Sequence, residues 1–98
     1  MTNHETEPKE EPEIDVHPRI ARLHPEIEPA DAIEAFTSAF DGLVRLDTDP
    51  LQRIGIGFDR KGRLLEWIAV PQTEPEGWLI FHCMEATKKF LREIEERK

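Results

Sequence analysis

Apolar residues in the second half of the chain fall into three short runs that turn-forming residues separate. The runs are Leu51–Phe58, Arg63–Val70 and Trp78–Met84. The first two are joined by Asp-Arg-Lys-Gly, and the last two by Pro-Gln-Thr-Glu-Pro-Glu-Gly. Short apolar runs bounded by glycine and proline clusters are typical of consecutive antiparallel strands. In the first connection, Gly62 is expected to supply the positive φ of a tight hairpin.

Helical patterns of apolar residues flank these runs on both sides. A short helix is predicted after Pro18, and a clearer one over Pro29–Asp41, with Gly42 at its C′ position. Leu43–Leu46 fits a short edge strand, and the residues after Met84 carry the apolar stripe of a further helix. The predicted class is α+β, with two N-terminal helices, a three- to four-stranded antiparallel meander, and a C-terminal helix packed on one sheet face.

Charge divides the 98-residue chain, whose net charge is −8, into a tail and a body. Residues 1–18 contain one lysine, Lys9, and six acids: Glu5, Glu7, Glu10, Glu11, Glu13 and Asp15. Because a Glu- and Pro-rich stretch without aromatic residues cannot offset its ordering entropy, residues 1–16 are predicted to be a disordered tail. Residues 17–98 are predicted to be a single domain. Its mildly acidic body argues against broad nucleic-acid binding but allows one small basic pocket.

The sequence also disfavours several classes of protein. No apolar run approaches the roughly 20 residues of a membrane span, and no signal-peptide pattern opens the chain. Cys83 is the only cysteine, so no internal disulfide is possible and a cytoplasmic location is expected. The four histidines are scattered, and therefore neither a metal nor another cofactor is predicted.

Alternation along the three runs divides their side chains into two sets. One set is wholly apolar and is expected to lie beneath the helices: Ile54, Ile56, Phe58, Leu65, Trp67, Ala69, Leu79, Phe81 and Cys83. The other set has one polar residue in each strand, namely Arg53, Glu66 and His82. Gly55 and Gly57 belong to this second set and are expected to leave open space beside Arg53. Two interpretations stand: an Arg53–Glu66 salt bridge with His82 as a polar neighbour, or a small acid–base and anion-binding site.

Three stretches resemble BrnT-like toxins of the RelE superfamily. They are Arg53-Ile-Gly-Ile-Gly-Phe-Asp, Gly-Arg-Leu-Leu-Glu66, and Ile80-Phe-His-Cys-Met-Glu-Ala-Thr-Lys-Lys89. The resemblance covers His17 to Glu93. It implies the toxin of a type II toxin–antitoxin system, acting as a metal-independent endoribonuclease on RNA that lies across the open sheet face. It also implies a cognate antitoxin, or a second copy of the chain, as partner.

The resemblance also implies roles for individual residues. Arg53 would bind the phosphate, His82 would act as general acid or base, and Glu66 would orient one of them. Lys88, Lys89 and Arg63 are the residues expected to contact the substrate. The alternative hypothesis is a non-catalytic module that docks a partner, or dimerises, through the same sheet face.

Overall fold

The chain forms one mixed sheet that helices cover on both sides. A computed structural model describes residues 12–97. Within them lie β1 (Glu13–Val16), α1 (Arg19–Leu23), α2 (Pro29–Thr37), β2 (Asp41–Arg45), β3 (Gln52–Phe58), β4 (Leu64–Thr73), β5 (Glu76–Glu85) and α3 (Lys88–Arg97). The predicted α+β class is confirmed.

The strands lie in the order β1-β5-β4-β3-β2. Strands β2 to β5 form the predicted antiparallel meander, whereas β1 pairs in parallel with β5 and adds a fifth strand. The prediction of three to four strands is wrong, because β1 lies inside the Glu- and Pro-rich stretch and its four residues are too few for a recognisable alternation. The sheet therefore begins at Glu13, ahead of the predicted boundary between residues 16 and 17. Residues 1–11 lie outside the described residues, and the tail predicted there stays a prediction.

Helices pack on both faces of the sheet. On one side, the α2 face, residues of α1 and α2 such as Ile20 and Phe36 pack against a core that includes Trp67. On the other side, the α3 face, Phe90 and Ile94 pack against Ile54, Ile56 and neighbouring apolar residues. The prediction of helices on only one face is therefore wrong. No helix in residues 12–97 is both long and apolar enough to cross a membrane.

The clearest predicted helix, α2, begins as expected but ends early. Its first turn contains proline, and the Asp31 carboxylate accepts a hydrogen bond from the backbone N–H of Glu28 at 2.9 Å. The hydroxyl of Ser38 donates at 2.7 Å to the carbonyl of Glu34, which competes with continuation of the helix. Gly42 is consequently not a helix cap but a residue of β2.

The predicted hairpin between β3 and β4 is confirmed. Gly62 has φ of 80°, in the left-handed region that favours glycine. The Asp59 carboxylate accepts hydrogen bonds from the backbone N–H groups of Lys61 and Arg63, both at 2.9 Å. This tight turn sets the register between β3 and β4, and thereby decides which side chains share a face.

Candidate functional site

The register of β3 and β4 separates Arg53 from Glu66. Arg53 lies opposite Ala69, and Glu66 lies opposite Ile56. Directly opposed residues point to the same side of a sheet. Arg53 is therefore on the α2 face, and Glu66 is on the α3 face together with Ile54 and Ile56.

The register of β4 and β5 gives the position of His82. His82 lies opposite Ile68, but the next residue of β4, Ala69, lies opposite Ile80 rather than Phe81. The extra residue in β5 changes which side chains face each way along that strand. The pairs up to Ile68–His82 are regular, and therefore His82 shares the α3 face with Glu66, which is two residues from Ile68 in β4. The prediction that three polar residues share one face is correct for these two residues and wrong for Arg53.

Arg53 lies among aromatic rings, and no carboxylate within residues 12–97 forms an ion pair with it. Its guanidinium carbon lies 5.0 Å from the ring centroid of Phe36, 5.7 Å from that of Trp67 and 5.4 Å from that of Trp78. These distances are in the range of cation–π attraction. The expected Arg53–Glu66 salt bridge is therefore wrong, because the sheet lies between the two side chains. Arg53 instead lines a separate cavity of ≈ 310 Å³ on the α2 face.

The space over Gly55 and Gly57, which was expected to be open, is filled. A Cβ atom on Gly55 would overlap the indole ring of Trp67, and one on Gly57 would overlap the carbonyl oxygen of Ala35 in α2. The two glycines therefore permit close packing of an aromatic ring and of a helix against β3. The open space beside Arg53 is therefore not over these two glycines but in the cavity that Gly42 and Val44 also line.

Glu66 and His82 form the polar centre of the α3 face. His82 Nε2 lies 2.7 Å from Glu66 Oε2. The other carboxylate oxygen, Oε1, accepts hydrogen bonds at 2.8 Å from both the backbone N–H and the hydroxyl of Thr87. The hydroxyl oxygen of Thr87 in turn accepts a 3.3 Å bond from the backbone N–H of Phe90, in the first turn of α3. Glu66 thus connects the start of α3 to the sheet and holds the imidazole of His82 at the same time.

The two members of this pair differ in burial. Glu66 is 4% exposed, whereas the His82 side chain is 27% exposed. Burial by itself would raise the pKa of Glu66, but the hydrogen bonds from His82 and Thr87 outweigh burial and hold the pKa below its usual value. Glu66 is therefore a carboxylate at neutral pH, and its partner is an imidazole that solvent can reach.

A cleft of ≈ 210 Å³ opens beside His82, and its lining comes from three strands and α3. The residues around it are Arg45, Glu66, Ile68, His82, Thr87, Lys89, Phe90 and Glu93. The ring of Phe90 lies roughly parallel to that of His82, with centroids 6.3 Å apart and planes at 29°. The cleft therefore combines an imidazole and a carboxylate with one aromatic wall.

Arg45 and Glu93 form the second charged pair of the cleft. The guanidinium of Arg45 donates two hydrogen bonds to the Glu93 carboxylate, at 2.6 and 2.7 Å. This contact lowers the pKa of Glu93 and raises that of Arg45. Because the residues are 48 positions apart, nothing in the sequence predicts their pairing. Thr87 is different, since a threonine directly before a helical stripe is a recognisable N-cap.

Of the three residues predicted to contact substrate, two lie in or beside the His82 cleft and one lies outside it. Lys89 lines the cleft, and Lys88 is an exposed residue beside it in α3. Arg63 lies elsewhere, where its guanidinium binds Asp59 at 2.8 Å and Asp31 at 3.1 Å. These contacts join the β3–β4 hairpin to the start of α2. Arg63 is therefore separate from the His82 cleft.

No protein-family model, curated protein or solved structure matches this chain. The resemblance to BrnT-like toxins accordingly stays a prediction, and the evidence for function comes from the cleft. In the part of the chain that the structure describes, no three His, Cys, Asp or Glu side chains form a group that could hold a metal ion. The chemistry that the cleft supports best is proton transfer, because a half-buried imidazole is held by a carboxylate that itself has fixed partners.

Proposed function

We propose that this chain is the toxin of a type II toxin–antitoxin pair, and that it cleaves RNA with His82 as general acid–base and Glu66 as its orienting carboxylate. The observation that supports the proposal most is the 2.7 Å contact between His82 Nε2 and Glu66 Oε2 at the edge of an open cleft. A carboxylate that accepts the Nε2–H of an imidazole favours one tautomer and leaves Nδ1 as the base. In residues 12–97 this is the only hydrogen bond of the His82 ring.

The proposed reaction needs proton transfer and charge stabilisation. Nδ1 of His82 accepts the proton of a ribose 2′-hydroxyl as its oxygen attacks the adjacent phosphorus. The bond from phosphorus to the 5′-oxygen breaks, and His82 returns the proton to that oxygen. The products are a 2′,3′-cyclic phosphate and a 5′-hydroxyl. Glu66 keeps the imidazole in place and stabilises its protonated form.

The positive charge needed for a phosphate is concentrated at the start of α3. Lys88, Lys89 and Arg92 are exposed there, and the first turn of the helix contains no acidic residue. Lysines at a helix N-terminus oppose the helix dipole, so they cost a little stability and create a local positive potential. In a chain with a net charge of −8, this strip next to His82 is where we expect a phosphate to bind. In this proposal the basic strip of α3 binds the phosphate, which is the role that the resemblance to BrnT-like toxins implied for Arg53.

The proposal is tested by expressing the protein and its His82→Ala variant in a bacterial host, and by incubating the purified proteins with RNA. We expect growth arrest and RNA cleavage with the unaltered chain, and neither with His82→Ala. His24→Ala is the matched control, because His24 is a partly exposed histidine on the opposite side of the sheet and lies outside the cleft. Intact RNA with the unaltered chain, or equal cleavage by both histidine variants, would refute the proposal.

A non-catalytic interaction module is the second candidate, and exposed apolar side chains favour it. Phe40 is 59% exposed and Leu46 is 78% exposed. The residues of the face that the sequence suggested for docking are divided between the α2 face and the α3 face, and helices pack on both. This candidate therefore docks through the edge of the sheet rather than through its face. This candidate predicts that His82→Ala behaves like the unaltered chain in cells, whereas charged substitutions at the sheet edge abolish its effect.

A further inference from the structure

Apolar side chains are exposed mainly at one edge of the sheet. In residues 12–97, six large apolar side chains are exposed, and five of them lie in or beside β2 and β3: Phe40, Val44, Leu46, Leu51 and Phe58. The sixth, Leu23, is in α1. Among the described strands β2 is the last of the sheet, so no strand within residues 12–97 pairs with its outer backbone groups. An edge strand with exposed apolar residues is a surface at which another strand can pair.

The sequence of this edge is complementary to itself. In an antiparallel pair of two copies centred on Leu43, every residue meets the one at the mirrored position. The facing pairs are then Phe40 with Leu46, Asp41 with Arg45, and Gly42 with Val44. Each pair joins apolar to apolar, acid to base, or the smallest residue to a branched one. Cross-strand pairs of these kinds stabilise a sheet.

We infer that the chain forms a homodimer through β2, in which two five-stranded sheets join into one ten-stranded sheet with Leu43 on the two-fold axis. A two-fold axis perpendicular to the sheet keeps each face continuous, so Asp41 and Arg45 of both copies lie on the α3 face. Arg45 keeps its bonds to Glu93 and to Gln52 Oε1, since a guanidinium has five donors and these contacts occupy three. Arg45 lines the His82 cleft, and therefore Asp41 of the second copy lies at the border of that cleft. The inference does not depend on the proposed catalysis.

The first test is the mass of the full-length chain in solution, measured by sedimentation equilibrium. The expected mass is twice the 11.4 kDa of one chain. Leu46→Lys is expected to weaken the dimer about 100-fold, because each substitution removes two symmetry-related apolar contacts. The matched control is Leu23→Lys, which places the same charge at the exposed apolar residue of α1 and should leave the dimer unchanged. A monomer at about 100 µM, or equal behaviour of both lysine variants, would overturn the inference.

The second test is specific for the register and uses only exposed positions. In Phe40→Cys/Leu46→Cys, the two cysteines of one chain lie just beyond the two ends of β2, about 20 Å apart, and cannot bond to each other. In the proposed dimer each faces the other cysteine of the second copy, so oxidised glutathione should link the two chains. Neither single variant should be linked. Cys83 does not interfere, because it is buried. Linkage of a single variant, or none of the double variant, would contradict this register.

Discussion

Replacing Glu66 by glutamine tests the network that holds His82. The carboxylate accepts three hydrogen bonds, one from His82 and two from Thr87, and is 4% exposed. Glutamine keeps the size and one acceptor oxygen but loses the charge. The bonds from Thr87 therefore remain as neutral bonds, and the contact with the imidazole weakens.

The expected loss of stability follows from these three bonds. Each weakens by about 1 kcal/mol when its acceptor becomes neutral, which gives a loss of about 3 kcal/mol. Removing a buried charge recovers about 1–2 kcal/mol of desolvation. The net decrease in the free energy of unfolding at neutral pH is then about 1–2 kcal/mol.

The effect should depend on pH in a defined direction. The pKa of Glu66 is lowered in the folded chain from the usual 4.5, so between the two values the unfolded chain binds more protons. Its contribution to stability is complete above pH 4.5 and is lost as the pH falls through the folded pKa. Glutamine does not titrate, and therefore the difference between the two proteins should shrink as the solution is acidified below pH 4.5.

Urea unfolding, followed by tryptophan fluorescence at several pH values, measures this difference. Glu95→Gln is the control, because it removes one carboxylate from an exposed position of α3. Equal stability of Glu66→Gln and the unaltered chain at neutral pH would refute the reasoning. So would a difference that stays constant from neutral pH to about pH 3.

Four further predictions concern residues in and around the sheet. Gly57→Ala should lower the free energy of unfolding by about 2–3 kcal/mol in urea titrations, since its Cβ would overlap the backbone of α2. Gly62→Ala, whose Cβ would meet no atom within 4 Å, should cost only the strain of its φ of 80°, about 1 kcal/mol. Burial, followed by nearby carboxylates, raises the pKa of Cys83 to about 12, so iodoacetamide should modify its thiol only in unfolded protein, as measured by mass spectrometry. Arg53→Met should lose about 1–2 kcal/mol of stability and change the tryptophan fluorescence, because it removes the cation from three aromatic rings.

The sequence predicts the elements of this fold better than their arrangement. The three apolar runs correspond to β3, β4 and β5, and the hairpin at Gly62 forms with the expected positive φ. The face of each strand depends on its register with the neighbouring strand, however, and alternation within one strand does not contain that information. The β3–β4 register differs by one residue from the one that would put Arg53 and Glu66 on the same face, so the two side chains lie on opposite faces.

The other differences between the predicted and the observed candidate site come from contacts between residues that are far apart in the sequence. The shared face of Glu66 and His82 was predicted, since both are single polar residues in apolar strands, but Arg53 was expected to be the ion-pair partner of Glu66. The position of Arg45 beside Glu93 was not, because it depends on how α3 crosses β2. The extra residue in β5 likewise has no signal in its own sequence. Candidate site residues could therefore be named one by one, whereas their grouping required the register.

Glu66 has two roles that its substitution cannot separate, since it holds both α3 and the imidazole. The only hydrogen bond of the His82 side chain in residues 12–97 is to Glu66, so substitution of His82 leaves in place the two bonds from Thr87 that hold the start of α3. Substitution of His82 is therefore the sharper test of function.

The most direct measurement is the chemistry of the RNA ends that the purified protein produces. With a short RNA that contains a single 2′-deoxy nucleotide, we predict 2′,3′-cyclic phosphate and 5′-hydroxyl ends at ribose positions and no cleavage after the deoxy position. We also predict that His82→Ala produces no ends and that His24→Ala produces the same ends as the unaltered chain. Cleavage after the deoxy nucleotide, or unchanged ends with His82→Ala, would contradict the proposal that His82 moves the proton of a ribose 2′-hydroxyl.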